Sequence, residues 1–363
     1  MPPQRIAYVG PVPPLRGGIA QHGGNLVQAL RILGCRVDVF SWASQFPALL
    51  YPGQERDPEA APLGGATFSL RWYSPPSWWS AGAAIRGADA VVFPWVTPFH
   101  APAYRTVLRA ARPRRAIVIV HNPIPHERRW FDAPATRWVL RHASGAIVHA
   151  ASAEETLRRL LPNTPITTVP HPPNLTVPIT PLPASPPIRL LFLGFVRRYK
   201  GLDIAIDAVS LLDRQGLDLR LTVAGQFWEP IEPYLKQARA RGMEEKVDLR
   251  PGYVSDAELG ELLKSHHLMV LPYRTATQSG IVPIAHAAGR PVVSTMVGGL
   301  PEVGTEGQTG ALAPPGEARA FAEAIRRVIG DLPAMATRAG EVTTTWEDVA
   351  SAVLDLAAPP PNG

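Results

Sequence analysis

The chain has 363 residues, 46% of them hydrophobic, with 36 Lys+Arg against 30 Asp+Glu and a formal net charge of +6. That length exceeds one ordinary core and predicts two domains, and the apolar content excludes wholesale disorder. The 30 glycines and 41 prolines follow no collagen-like period, and the lone Cys35 excludes an intrachain disulfide or a multi-cysteine metal site, which fits a reducing compartment.

Residues 1–10 (MPPQRIAYVG) run straight into a strand pattern without the charged and apolar regions of a secretory leader. The longest apolar runs, such as Leu190 to Val196, stop far short of the roughly 18 residues of a membrane span. The expected location is cytoplasmic, with the inner face of a membrane as a docking surface. Strands are predicted at Arg5 to Val9, Arg36 to Phe40, Ala90 to Phe93, Ala116 to His121, Ala146 to His149 and Ile166 to Val169, with an amphipathic helix from Gln21 to Leu33. Short apolar runs separated by helical segments predict parallel strands joined by helical crossovers. Pro178 to Pro187 (PITPLPASPP) holds five prolines in ten residues and is taken as the domain boundary.

A second series follows, with strands at Leu190 to Leu193, Leu219 to Val223, Val247 to Leu249, Leu268 to Leu271, Pro291 to Ser294 and Ala311 to Leu312. Helices are predicted near Asp203 to Leu212, Ile231 to Arg241, Asp256 to Lys264, Val282 to Ala288 and Glu317 to Ile329. The fold class is therefore α/β, two tandem doubly wound domains, with a ligand expected at the C-terminal ends of the strands.

Three loops carry the candidate chemistry. Gly17 and Gly18 directly precede a helix, where free N–H groups attract anions, although the same glycines suit a plain tight turn. That loop lacks G-x-G-x-x-G, which argues against a dinucleotide. Arg197, Arg198 and Lys200 fall within four positions after a strand and just before a helix, whose dipole disfavours cations there unless an anion neutralises them. The loop Thr277-Gln278-Ser279-Gly280 offers hydroxyls and backbone donors at another helix start, where ordinary capping by Thr or Ser is the plainer use.

FLGFVRRYKG at 192–201 and PVVSTMVGGLPE at 291–302 resemble the C-terminal signatures of the GT-B glycosyltransferases, in particular the retaining family 4, also called group 1. The likeness extends to the first-domain glycine loop and to Thr345-Trp346-Glu347, which looks like the start of the family's closing helix. The resemblance implies two Rossmann-like domains facing a cleft, at 1–187 and 188–340, with a closing helix and tail at 341–363. It also implies retaining transfer from a nucleotide-diphosphate-sugar as co-substrate, without a metal or other cofactor. By the same resemblance Arg197 and Lys200 act on the donor diphosphate, helped by Arg198, and Ser279, Gly280 and Ile281 bring backbone to the phosphates. Gly17 and Gly18 line the sugar and acceptor site, and His121 stands near the reacting sugar.

The chain departs from the family in one place. The E-x7-E glutamates fall at Ala276 and Ile284, or at Thr277 and Ala285, depending on the anchor, and none of these is acidic. Glu302 is the nearest remaining carboxylate and is assigned to nucleoside binding. Phe195 also replaces the arginine usual after the glycine.

His149 suits a structural role at a strand end, His171 suits a structural or a functional role equally, and His126 beside Glu127 suits either proton tuning or a turn cap. No H-E-x-x-H or D-x-D occurs and the histidine spacings resemble no zinc site, so no metal is expected. Residues 1–187 hold 18 Arg and no Lys against 9 acids, and residues 188–363 hold 18 Lys+Arg against 21 acids, so a net +9 sits on the first half and −3 on the second. Arg112, Arg114, Arg115, Arg128 and Arg129 cluster there, with seven of the nine tryptophans, including Trp72, Trp78 and Trp79. Arg with Trp suits an anionic membrane surface or a lipid-linked acceptor, while core packing and a solvated face account for the same residues. A nucleic-acid partner is not expected, since no such module is present. A sugar-nucleotide epimerase, a phosphorylase or a catalytically silent glycosyltransferase-like subunit would share the same sequence features.

Overall fold

The computed structural model describes residues 5–47, 54–123, 130–304, 306–342 and 344–358. The chain forms two compact units, Met1–Asn174 with Thr344–Gly363, and Leu175–Thr343. His126, Glu127, Arg128 and Arg129 lie outside the described residues.

In the first unit the strands are β1 (Arg5–Val9), β2 (Arg36–Ser44), β3 (Ala66–Arg71), β4 (Ala90–Trp95), β5 (Arg115–Val120), β6 (Gly145–Val148) and β7 (Ile166–Thr168). Helices α1 (Gly18–Ile32), α2 (Pro75–Ala84), α3 (Ala101–Ala111), α4 (Asp132–Leu140) and α5 (Ala151–Leu160) connect them. The pairs are parallel, in the order β3-β2-β1-β4-β5-β6-β7. Parallel strands are covered on both faces, which the sequence satisfies by alternation. Val118 and Val120 pack on one face with Tyr104, Val107 and Leu157, while Ile117 and Ile119 pack on the other with Leu26 and Leu30 of α1.

The second unit repeats the plan. Strands β8 (Ile188–Leu193), β9 (Leu219–Gly225), β10 (Val247–Pro251), β11 (Leu268–Leu271), β12 (Val292–Thr295) and β13 (Gly310–Ala313) pair in the order β10-β9-β8-β11-β12-β13. Its helices are α6 (Leu202–Asp213), α7 (Glu232–Ala240), α8 (Asp256–Ser265), α9 (Ile281–Ala287), α10 (Leu300–Val303), α11 (Ala318–Gly330) and α12 (Leu332–Gly340). Leu190 and Phe192 face one core, and Leu191 and Leu193 the other.

The units divide ahead of the proline-rich stretch taken as the boundary. Arg290 supplies the reason. Its side chain is 1% exposed and donates to Thr180 O at 2.9 Å, Thr180 Oγ1 at 2.8 Å and Leu263 O at 2.8 Å. A buried guanidinium satisfied by carbonyls ties residues 180 and 181 to the second unit, and Val177 is buried in the same core. The helix expected as a separate closing segment, α13 (Trp346–Ala357), belongs to the first unit. Thr345 caps it in a reciprocal box with Asp348, and Val349 and Val353 are fully buried against Ile117, Ile119 and Ile147. At about 1.5–3 kcal/mol for each fully buried aliphatic side chain, these two valines make α13 part of the core.

Candidate active site

In a doubly wound sheet the crevice for a ligand opens where the strand order reverses, at the C-terminal ends of the two strands that flank the reversal. In the second unit those strands are β8 and β11. The loops that leave them are the two singled out from sequence, Gly194 to Gly201 and Pro272 to Gly280. Topology therefore gives both loops a common place.

Side-chain geometry joins them. Gly194 has φ +107°, and a Cβ there would stand 3.1 Å from Lys200 Nζ and 3.2 Å from Ile281 Cδ1. Glycine is required by the backbone angle, and its bare face lets the ammonium and Ile281 approach from opposite loops. Lys200 Nζ also lies 5.0 Å from the Tyr273 ring centroid, and the Arg197 guanidinium lies 4.0 Å over Trp228. Burial pulls the Lys200 ammonium below its ordinary pKa, Tyr199 opposes that and Arg197 reinforces it.

The turn carrying Lys200 is held from below. Arg274 donates to both oxygens of Asp203, at 2.8 and 2.6 Å, and to Arg198 O at 3.0 Å, while Arg274 N donates to Tyr199 O at 2.6 Å. Asp203 and Arg274 were not singled out from sequence, and the i-to-i+71 pair has no local signature. Arg198 is exposed, and its role here is its carbonyl rather than its charge.

The third loop differs from ordinary capping. Neither Thr277 nor Ser279 caps α9, whose N-cap is Gly280 in the αR region with no side-chain hydrogen bond. Ser279 is 8% exposed beside the buried Tyr273 hydroxyl, and Gln278 Oε1 is buried without a hydrogen-bond partner. An orphan polar atom beside a half-buried cation is what a polar ligand would satisfy. Gly299 N donates to Thr277 O at 2.9 Å, so the Gly-Gly turn is pinned to this loop, and Glu302 follows on α10 with its side chain exposed. Asp203 is the carboxylate fastened beside the cationic turn. Ile284 and Ala285, two of the positions where the family glutamates would fall, are buried in the core.

In the first unit the histidines come together. His22 projects from α1, His121 and His149 follow the ends of β5 and β6, and His171 lies beyond β7; all four are buried. His22 Nε2 lies 2.9 Å from His149 Nε2, and the His22 ring is 4.5 Å from that of His121 and 5.4 Å from that of His171. His149 Nδ1 sits 2.8 Å from Val169 O, and Trp346 of α13 sets its ring edge-on at 4.7 Å from His22. Burial lowers every pKa in the group, His121 to about 3 and His171 to about 4, and mutual repulsion adds to the effect on His22, His121 and His149. The rings are neutral at pH 7.

Gly17, with φ +106°, is the N-cap of α1 five residues before His22, and no atom lies within 4 Å of where its Cβ would be. The glycine answers a backbone angle on an open surface. Asn174 Nδ2 donates to Gly18 O at 3.2 Å. His22 escaped the sequence reading, although its spacing of four from Leu26 and eight from Leu30 places it on the buried stripe of α1.

The tryptophans divide. Trp42, Trp78 and Trp95 are core residues, the packing alternative, whereas Trp79, Trp130 and Trp138 are exposed.

The family model for Glycosyltransferase Family 4 matches residues 16–177, and that for Glycosyl transferases group 1 matches residues 187–331. A D-inositol 3-phosphate glycosyltransferase 1 of Catenulispora acidiphila is 36% identical over 161 residues, 42% of this chain and 38% of its own. The amylovoran biosynthesis glycosyltransferase AmsK of Erwinia amylovora is 32% identical over 148 residues, 39% of this chain and 36% of its own. The chain thus matches little over a third of the length of these relatives. Among solved structures, sucrose-phosphate synthase from Thermosynechococcus elongatus superposes with a TM-score of 0.70 at 20% identity, covering 98% of this chain and 96% of its own. Anabaena HepE with UDP and glucose gives 0.66 at 18% identity, over 97% and 96%. With both halves matched in order and the same fold throughout, the chain belongs to the group 1, family 4 glycosyltransferases, of GT-B fold.

Proposed function

We propose that this protein transfers a sugar from a nucleotide-diphosphate-sugar to a sugar or lipid-linked acceptor with retention, in polysaccharide or glycolipid synthesis. The observation that carries the reading is the Lys200 ammonium held against Gly194 and Ile281 at the reversal of the second sheet. HepE was solved with UDP and with UDP-glucose and starch synthase IV of Arabidopsis thaliana with ADP, which supports a nucleoside-diphosphate sugar as donor class.

As the sugar–oxygen bond breaks, negative charge grows on the leaving diphosphate. Arg197, Lys200 and the backbone of Ser279, Gly280 and Ile281 stabilise it in place, so no metal is needed at the diphosphate. The acceptor attacks from the leaving-group face, and a diphosphate oxygen takes its proton. Gly17, Gly18 and His121 of the first unit serve the sugar and acceptor. With its pKa near 3, His121 acts as a neutral hydrogen-bonding ring that orients the sugar and not as a proton donor. Glu302 serves the nucleoside.

The test is a panel of nucleotide sugars with and without candidate acceptors. Acceptor-dependent release of nucleoside diphosphate supports transfer. A converted sugar nucleotide with no release would replace it with epimerisation.

The exposed Trp130, Phe131 and Trp138, with the exposed Arg137 and Arg141, give the first unit an amphipathic patch along α4. We assign to this patch docking on an anionic membrane at the cytoplasmic face; among the described residues no helix is long and apolar enough to cross one. Trp138→Ala together with Arg141→Ala should cut partitioning onto phosphatidylserine vesicles at least fivefold in a sedimentation assay and leave neutral vesicles unaffected. Unchanged partitioning on both would remove the patch from the membrane reading.

A further inference from the structure

The buried histidines of the first unit go beyond what transfer requires. A lone orienting ring at His121 needs no other imidazole, yet His22, His149 and His171 surround it in a core where apolar side chains would pack at less cost. Two of their nitrogens, His22 Nδ1 and His121 Nε2, are buried with no hydrogen-bond partner. Each such orphan is destabilising. The arrangement is expensive as packing.

It is economical as a ligand set. One ring nitrogen from each of His22, His121 and His149 falls within 4.8 Å of the others, and all three side chains are buried. Ligand nitrogens about 2.0–2.1 Å from a tetrahedral zinc stand roughly 3.3 Å apart. The His22–His149 separation of 2.9 Å is already close to that, so seating an ion requires a small opening of this pair, with the His121 nitrogen within 4.8 Å of both. The outer contacts are those of metal-bound imidazoles. The His149 Nδ1 hydrogen donated to Val169 O at 2.8 Å fixes the tautomer with its Nε2 lone pair facing His22. His171 makes the equivalent bond from Nδ1 to Pro172 O at 2.5 Å, and its ring centroid lies 4.9 Å from that of His149, so it stands ready as a further ligand or outer partner. Neutral rings are the form that coordinates.

We infer that His22, His121 and His149 form a binding site for one divalent transition-metal ion of the zinc class, with His171 beside it. Three neutral imidazoles without thiolate or carboxylate favour zinc, nickel, cobalt or copper over magnesium or calcium. The ion would tie α1 to the ends of β5 and β6. The site shares His121 with the transfer reading, whereas the cations assigned to the diphosphate are on the second unit, so metal binding is tested by the ion itself and apart from turnover.

The test uses the full chain without an affinity tag, stripped with chelator and titrated with Zn2+ by calorimetry and with Co2+ by visible absorption. Saturation at one equivalent, a tetrahedral cobalt spectrum and a melting temperature that climbs with free Zn2+ are expected. His22→Gln and His149→Gln should each weaken binding at least tenfold, while His142→Gln, an exposed histidine, should change it less than twofold. Stoichiometric binding unchanged in both ligand variants would overturn the site by showing that the metal sits elsewhere. Should both variants unfold, the wild type decides: no cobalt d–d spectrum, or no zinc-dependent rise in melting temperature, overturns it equally.

Discussion

Replacing Lys200 by Met should lower kcat by about 100- to 1000-fold, the loss seen when one preorganised charge-stabilising donor is removed from a transition state. The ammonium has the position for that effect, against the bare face of Gly194 and beside Ile281 and Tyr273. Its turn is held by Arg274 and Asp203, so it is oriented before any ligand arrives. Stability should move the other way. Burial already pulls the Lys200 pKa down, so the folded protein holds this charge at a cost, and a methionine of similar length should leave the melting temperature unchanged or raise it. Activity and stability changing in opposite directions is the signature of a charge kept for a ligand. Wild-type turnover in Lys200→Met, measured by nucleoside diphosphate release, would remove the ammonium from the proposed chemistry. A drop in both quantities would mark it as structural.

Acid should unfold the metal-free protein well before carboxylates titrate. Burial lowers His100, His171, His266 and His286 to about 4 and His121 to about 3, from an ordinary imidazole value of 6.5. Below pH 6.5 the unfolded chain takes up protons that the folded chain refuses, so the unfolded state binds more protons and stability falls as pH falls. The contribution is whole above pH 6.5 and declines until the folded values are reached near pH 4 and 3. At about 1.4 kcal/mol per pH unit for each group, His100, His121 and His171 together remove about 6 kcal/mol from the first unit by pH 5. That is comparable to the whole stability of an ordinary domain, about 5–15 kcal/mol. Urea unfolding in chelator between pH 7.5 and 5 should show the decline, and His100→Gln should reduce its slope by close to one proton. A flat profile over this range would show that these rings titrate normally in the folded state.

The order of strands, the parallel sheets and the loops that leave β8 and β11 were legible because apolar runs, glycines and clustered cations are local patterns. The helical stretch Ala101–Ala111 carries a helical spacing in Ala101, Tyr104, Leu108 and Ala111, but Pro98, Pro102 and Pro113 around and within it blur that pattern. β3 is an edge strand with a single buried residue, Leu70, and has almost no alternation to detect. The histidine group is of another kind. His22, His121, His149 and His171 are brought together by parallel topology alone, each at or beyond a strand end or on the helix that follows β1, so no spacing rule for a metal or a catalytic pair applies to them. Asp203 with Arg274, and Trp346 with His22, are equally remote in sequence. Motifs registered the ends of the strands, and only the sheet order says which ends are neighbours.

The return of α13 to the first unit bears on how the chain is made. A ribosome delivers β1 to β7 early, but the apolar face formed by Ile117, Ile119 and Ile147 waits for Val349 and Val353. At roughly 5–20 residues per second, the interval between residues 174 and 346 is about ten to thirty seconds. During it the contiguous second unit has everything it needs to fold. The part synthesised first is the part completed last, and a nascent chain stalled near residue 343 would present a finished second unit and an unfinished first one to the cell's chaperones.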